Sequence, residues 1–364
     1  MKKNKIDVHM GTAAFSGPHS LTVTDADGNV ASLSAQHVVL ATGSRPILIP
    51  GVEIDGERVL TYREAVLQTT APKSVVIVGS GAIGLEFASL WNGYGVEVTI
   101  VEMLPRIAPL EDEEVSKELT KEFRKRGINV LAGTRVEAIQ TLKTKIKATV
   151  TGEAGQQVLD AEQALVAIGF RPNTEGLGLE KVGVALDDRK MVGIDARMAT
   201  NVPGVWAIGD VTGKLQLAHV AMAMGAVCAE NIAGVETIEL YYQMMPRATY
   251  CQPQVASFGM TESQARQAGH ELRVGRFPFQ ANGKALGMGE TAGWIKLIAD
   301  AQYGEILGAH LVGPEVTELL PELTLAQMME LTPAEIARNV HAHPSLSEVL
   351  GEAAHVAEGH AIHI

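Results

Sequence analysis

Cysteine is almost missing from this chain: Cys228 and Cys251 are the only two. Two thiols so far apart make no disulfide framework, and they fit a reducing compartment, the cytoplasm. Positive charge is also scarce. Thirty Lys and Arg face 42 Asp and Glu, for a net charge of −12 and a pI near 5.4. That balance argues against nucleic acid and against an anionic membrane surface as partners. No apolar run reaches the ~20 residues that cross a bilayer. The most apolar long stretch, 218–235, contains Glu230 and Asn231 and reads as a buried helix. Met1-Lys2-Lys3-Asn4-Lys5 is basic, but no apolar segment follows, so no signal peptide is expected.

What is present fits a globular protein of two or three domains. The 364 residues are 46% hydrophobic, enough for ample core. Thirty-seven glycines exceed the usual share and suggest several close backbone approaches.

The chain is organised around one stretch. Ser74 to Val78 is a β-branched apolar run that reads as a buried parallel strand. Gly79-x-Gly81-x-x-Gly84 follows without a gap, and an apolar helix is predicted from Leu85. This is a dinucleotide fingerprint in its required context of strand, turn and helix. Gly79 permits the turn, Gly81 lets backbone approach a pyrophosphate, and Gly84 lets helix and strand pack. Free N–H groups at the helix start face the phosphates. A second strand, Val96 to Val101, ends in Glu102, 23 residues after Gly79. A carboxylate near that spacing bonds a ribose 2′-hydroxyl and repels a 2′-phosphate, so NAD is expected over NADP, although Arg106 lies nearby. A solvated Glu beside turn glycines is the simpler alternative.

Elsewhere the pattern is of short strands. Residues 7–40 read as a β-meander with strands at Ile6–Val8, Leu21–Val23 and Val30–Leu33, and Asp25-Ala26-Asp27-Gly28-Asn29 as a hairpin turn. Three buried strands end in glycine: before Thr42-Gly43, before Gly169, and before Gly209-Asp210. Asp210, at a strand end near a helix start, suits a ligand hydroxyl or a simple turn. After Glu239 the pattern becomes antiparallel strands and then helices, a separate α+β domain. The expected fold is α/β with domains at 1–62, 63–170, 171–240 and 241–364. Near the end, His341-Ala342-His343-Pro344-Ser345-Leu346-Ser347-Glu348 has two readings. Glu348 could fix the His343 imidazole for proton transfer. Alternatively, Ser345 and Glu348 form a capping box at a helix start.

Taken together, Ala41-Thr42-Gly43-Ser44-Arg45-Pro46, the fingerprint with Glu86, Ala207-Ile208-Gly209-Asp210, Leu217-Ala218-His219 and His341-Ala342-His343-Pro344 resemble the flavin-dependent pyridine-nucleotide disulfide oxidoreductases. The resemblance covers essentially the whole chain. It implies FAD and NAD as cofactors, a Rossmann-like NAD domain, part of an FAD domain and a C-terminal dimerisation domain. Ala14, Thr42, Gly43, Asp210 and Ala218 would serve FAD. Gly79, Ser80, Gly81, Ala82, Ile83, Gly84, Glu102, Val136 and Gly169 would line the NAD site, with Glu86 near the nicotinamide. His343 with Glu348 would be the acid/base pair serving a dithiol in the other subunit, so a homodimer is implied. Within the family the His-Ala-His-Pro element implies reoxidation of protein-bound dihydrolipoamide, with the lipoyl domain of a 2-oxo-acid dehydrogenase complex as partner. No metal, nucleic acid or membrane partner is expected. The sequence departs from the family in four places. It has no first G-x-G-x-x-G for the ADP part of FAD and no redox C-x-x-x-x-C, Phe170 stands where Arg is expected, and Cys251 where Thr is expected. The chain is therefore read as an N-terminally truncated member, of doubtful activity alone, with an apolar surface left near the Thr42-Gly43 strand. A disulfide-independent NADH:flavin reductase and a non-catalytic NAD-binding or dimerisation module are the other readings.

Overall fold

A computed structural model describes residues 1–364. The chain divides into two compact units, Met1–Pro46 with Phe170–Tyr242, and Ile47–Gly169 with Gln243–Ile364. The first break therefore falls at Pro46, where the sequence reading placed it at 62. Val59–Leu60 pairs with Gln163–Val166 in a five-stranded parallel sheet, which carries residues 47–62 into the second unit.

The first unit opens with an antiparallel meander, Thr12–Gly17, Ser20–Thr24 and Val30–Ser34. Asp25 closes its second turn by accepting N–H bonds from Asp27 and Asn29 at 2.9 and 2.8 Å. The expected strand at Ile6–Val8 does not form. Those three residues are exposed, and without a covering face or a partner strand a short apolar run gains nothing by extending. Val38–Leu40 pairs parallel with Val205–Ala207, and Ser44–Pro46 pairs antiparallel with Phe170–Pro172. Phe15, Leu40, Leu179, Val205 and Val211 share its core. On the Val38–Leu40 strand, Val39 is exposed between two buried neighbours. Helix Ala218–Ala233 stops at Gly234, whose φ of 68° is a left-handed cap.

In the second unit, five parallel strands run in the order Val59–Leu60, Gln163–Val166, Ser74–Val78, Glu97–Val101, Asn129–Leu131. Val75, Val76, Ile77 and Val78 are all buried, as a strand covered on both faces requires. Each such side chain contributes about 1.5–3 kcal/mol by leaving water. Helix Ala82–Gly93 starts three residues before the expected Leu85. Arg135–Thr141, Ile146–Gly152 and Gly155–Ala161 make an antiparallel sheet. Its last strand was not expected, because Gly155-Gln156-Gln157 offers no apolar alternation; backbone pairing with Ile146–Gly152 makes it a strand.

The same unit holds an antiparallel sheet in the order Arg247–Thr249, Gln254–Gly259, Ile306–Gly313, Trp294–Asp300, Leu272–Pro278. Helices Val316–Met328, Pro333–Arg338 and Glu348–Ala357 follow. Register aligns a polar row across the five strands: Arg247, Ser257, His310, Lys296 and Arg276. Acidic groups around the start of helix Glu113–Lys125 meet this row. Lys296 Nζ lies 3.1 Å from Asp112 and 2.7 Å from Glu262, Ser257 Oγ donates to Glu111 at 2.6 Å, and Arg247 lies 3.6 Å from Glu111. No helix is long and apolar enough to cross a membrane.

Candidate functional site

The glycine turn has the geometry its sequence implies. Gly79 has φ +101°, and a Cβ there would lie 2.4 Å from the Ala167 carbonyl oxygen. A Cβ at Gly84 would lie 2.1 Å from the Gly79 oxygen, so helix and strand touch through backbone. Gly81 faces open space, with nothing within 4 Å of its would-be Cβ. It is the N-cap of helix Ala82–Gly93 and supplies no side-chain acceptor, so the first-turn N–H groups of Ala82 and Ile83 stay available to an anion. This cradle fits a dinucleotide pyrophosphate.

Glu102 sits at the strand end, 8% exposed. Its carboxylate accepts bonds from Ser80 N and Oγ at 2.9 and 2.6 Å, and from Leu104 N at 2.9 Å. Its spacing from Gly79 points to a ligand contact, and in the structure the same group also holds the glycine loop in shape. Val136 is buried against the sheet, its side chain in the core with Val78 and Val101. Gly169 has φ +120° and accepts a bond from Ile47 N at 2.9 Å.

Glu86 lies one turn into the helix and accepts the Tyr250 N–H at 2.9 Å. Burial pushes its carboxyl above the usual carboxylate value against that hydrogen bond. Below it, Cys251 Sγ donates to the Pro253 carbonyl at 3.0 Å. Burial, with the Glu86 charge beside it, pushes the Cys251 thiol up to about 12. Burial raises the Cys228 thiol as well. Both remain thiols at neutral pH, so neither is a redox nucleophile.

The residues assigned to flavin lie in the first unit. Ser44 Oγ donates to Asp210 Oδ2 at 2.7 Å, fixing the carboxylate at the strand end. Thr42 and Asn173 clasp each other: Thr42 Oγ1 donates to the Asn173 carbonyl at 2.8 Å, and Asn173 Nδ2 to the Thr42 carbonyl at 2.9 Å. Asn173 N also donates to Gly43 O at 3.0 Å, and Gly43 takes φ +69°. Ala218 opens its helix without a side-chain cap, and the buried Gln216 Nε2 beside it has no hydrogen-bond partner. An anchored carboxylate, an orphaned donor and uncapped helix N–H groups fit a ligand rich in hydroxyls and carbonyls, as FAD is. Ala14 lies in the meander opposite Thr22 and is not drawn into this group. Ser44 carries no local signal of this role: Thr-Gly-Ser reads as a strand end, and its partner is 166 residues away.

At the C-terminal end, His343 Nδ1 lies 2.9 Å from Glu348 Oε1, while Glu348 Oε2 accepts Ser345 N at 2.8 Å. Only half of the expected capping box forms: Glu348 Oε2 takes the Ser345 N–H, but Ser345 Oγ pairs with Ser347 Oγ, and the helix starts after Ser347 without a side-chain cap. Burial opposes ionisation of Glu348, but the Ser345 N–H and His343 outweigh it and hold the carboxyl below its usual value. The His343 side chain is 78% exposed, open to a partner.

Comparison with known proteins places this arrangement. Residues 1–225 match the family described as pyridine nucleotide-disulphide oxidoreductase, and residues 245–354 match its dimerisation domain. The chain belongs to this family of oxidoreductases, which work with FAD and a pyridine nucleotide. Over 363 residues it is 53% identical to a dihydrolipoyl dehydrogenase of Mycobacterium tuberculosis, covering 100% of this chain and 78% of that one. A dihydrolipoyl dehydrogenase of Corynebacterium glutamicum is 48% identical, with the same coverage. Among solved structures, LpdA from Mycobacterium tuberculosis superposes with a TM-score of 0.86 at 30% identity, covering 96% of this chain and 74% of that one. The HOCl-induced flavoprotein disulfide reductase RclA from Escherichia coli, as a Cu(II) complex, gives 0.88 at 27%, covering 96% and 78%.

Proposed function

We propose that the chain carries the NAD site, flavin contacts and acid/base histidine of a flavoprotein of the dihydrolipoyl dehydrogenase type, which oxidises protein-bound dihydrolipoamide with NAD+ in the cytoplasm; a redox cysteine pair is not among its residues. The His343–Glu348 contact carries this reading, because an oriented imidazole open to solvent suits a dithiol on a mobile carrier. In the net reaction the dithiol loses two electrons and two protons, NAD+ gains a hydride, and one proton leaves. Bound FAD would supply the electron relay between dithiol and nicotinamide.

The chain's own residues do the rest. Glu348 accepts the Nδ1 proton of His343, leaving Nε2 free to take a proton from the dithiol. The dimerisation domain supports a homodimer, in which His343 serves the partner's site. The Gly79–Gly84 turn and the Ala82–Ile83 N–H groups hold the dinucleotide phosphates. Glu102, held at the loop by Ser80, favours a ribose 2′-hydroxyl over a 2′-phosphate and hence NAD. Asp210, fixed by Ser44, holds the flavin's hydroxyl chain. A lipoyl domain of a 2-oxo-acid dehydrogenase complex is the partner this chemistry implies. Cys228 and Cys251, both buried thiols, do not supply the exchange step.

The test is the visible absorbance of the purified chain with FAD, followed by a dihydrolipoamide:NAD+ assay in a form of the protein that carries the redox cysteine pair. A flavin band with lipoamide turnover supports the proposal. A flavin band with dye reduction alone supports an NADH-dependent reductase. NAD binding without flavin supports a binding module, and either result overturns the proposal.

A further inference from the structure

Residues 339–347 join helices Pro333–Arg338 and Glu348–Ala357 and carry His343 at their exposed crest. Val340 is 93% exposed, so no apolar side chain anchors the near half of this loop. A polar pair does so instead. The His341 side chain is only 8% exposed, and its Nε2 lies 3.0 and 3.2 Å from the two oxygens of Glu322. Glu322 also accepts Asn339 Nδ2 at 3.1 Å. The imidazole lies against Gly351, where a Cβ would come 3.2 Å from His341 Nδ1. Glycine there gives the ring room against the helix that bears Glu348. On the far side, Asn282 Nδ2 donates to the Ser345 carbonyl at 3.0 Å.

We propose that His341 and Glu322 are a positioning pair that aims His343 at Glu348. The inference rests on the role of His343 given above. Glu348 can hold the His343 ring only when the loop backbone presents it at hydrogen-bond distance. The flanks are tied by Glu322 and Asn282, and His343 sits between the ties. Neither His341 nor Glu322 meets the substrate in this arrangement; they fix where the imidazole stands.

The test reads the tautomer of His343 by nitrogen NMR on the full chain with labelled histidine. The wild type shows His343 with its proton on Nδ1. Glu348→Ala abolishes that preference and tests the underlying pair. In Glu322→Ala and His341→Asn the Nδ1–H fraction of His343 falls by about half, because the contact with Glu348 is made only part of the time. His270, held 3.0 Å from Asp300 elsewhere in the same unit, keeps its signal and reports an intact fold. Glu322→Gln restores part of the preference, since its carbonyl oxygen still accepts from His341. An unchanged His343 tautomer in Glu322→Ala, with a clear change in Glu348→Ala, overturns the positioning role alone. No change in Glu348→Ala overturns the His343–Glu348 reading itself. Loss of fold in both Glu322→Ala and His341→Asn makes the pair a general stability element and overturns its local role.

Discussion

His343 and Glu348 are joined through one oxygen of the carboxylate, at 2.9 Å, while the other oxygen closes the turn at Ser345 N. One side chain therefore braces the turn ahead of the helix and orients the imidazole. His343→Gln removes the base but leaves the turn. In a form of the protein that turns over dihydrolipoamide, it lowers that rate by about 10²–10⁴-fold. NADH-to-dye transfer stays near the wild-type rate, because it needs no dithiol. Equal loss of both rates in a steady-state assay would remove His343 from its proposed role.

Glu102 joins loop shape to nucleotide choice. Glu102→Ala frees Ser80 and removes the ribose acceptor, so NADH binding weakens by about 1.5–3 kcal/mol, the worth of a hydrogen bond to a charged group. NADPH binding changes less. Fluorescence titration with both nucleotides measures this, and an unchanged preference refutes the ribose contact.

The glycines of the turn separate by geometry. Gly84→Ala drives a methyl into the Gly79 carbonyl and costs stability by about 1–3 kcal/mol or more. Gly81→Ala meets open space, keeps the melting temperature, and weakens NAD by blocking the phosphate approach. Thermal melts of the two variants decide; equal melting temperatures contradict the packing assignment of Gly84.

Lys296 is 97% hidden among carboxylates (3% side-chain exposure). Lys296→Met leaves the buried Asp112 without its cation, while Glu262 keeps Arg266, and destabilises by about 3–5 kcal/mol in urea unfolding. A loss below the noise of the titration removes the pair from the account of stability.

The same row sets a pH dependence. Burial raises Asp112, but positive charge on His310 and Lys296 and N–H bonds from Glu114 and Glu262 outweigh it, so the carboxyl lies below its usual value. Glu262 is lowered mainly by Lys296. Groups depressed in the fold stabilise it above their unfolded values, near pH 4, and lose that contribution as pH falls through the folded values. Burial likewise holds His310 below the usual histidine value, and its Nδ1 has no partner. The unfolded chain takes up that proton first, so stability also falls as pH drops below about 6.5. Urea midpoints at pH 7.5, 5.5 and 3.5 should step down twice. His310→Asn should flatten the upper step and leave the lower; two unchanged steps would refute the His310 assignment.

Much of the site was legible because it depends on local chemistry. A β-branched run followed by three spaced glycines can do little else, and Asp210 and His343 lie within a few residues of recognisable strand or helix ends. The family resemblance supplied the roles that spacing left open. What was not legible depends on distant register. Ser44 meets Asp210, and Lys296 meets Asp112, only because the sheets bring them together. Gly155–Ala161 shows no alternation, since its pairing is made by backbone rather than side chains.

The polar row bears on modularity. The antiparallel sheet of 243–364 looks like a domain that could be exchanged between proteins as a cassette. Yet of the carboxylates paired with its most hidden cation, Lys296, only Glu262 is its own; Asp112 and Glu114, like the Glu111 and Asp112 charges beside its buried histidine, lie far upstream. A chimera joined near Gln243 would inherit charge without its complement unless the acidic helix start travelled with it. For recombination, the transferable cassette is the sheet together with residues 111–114.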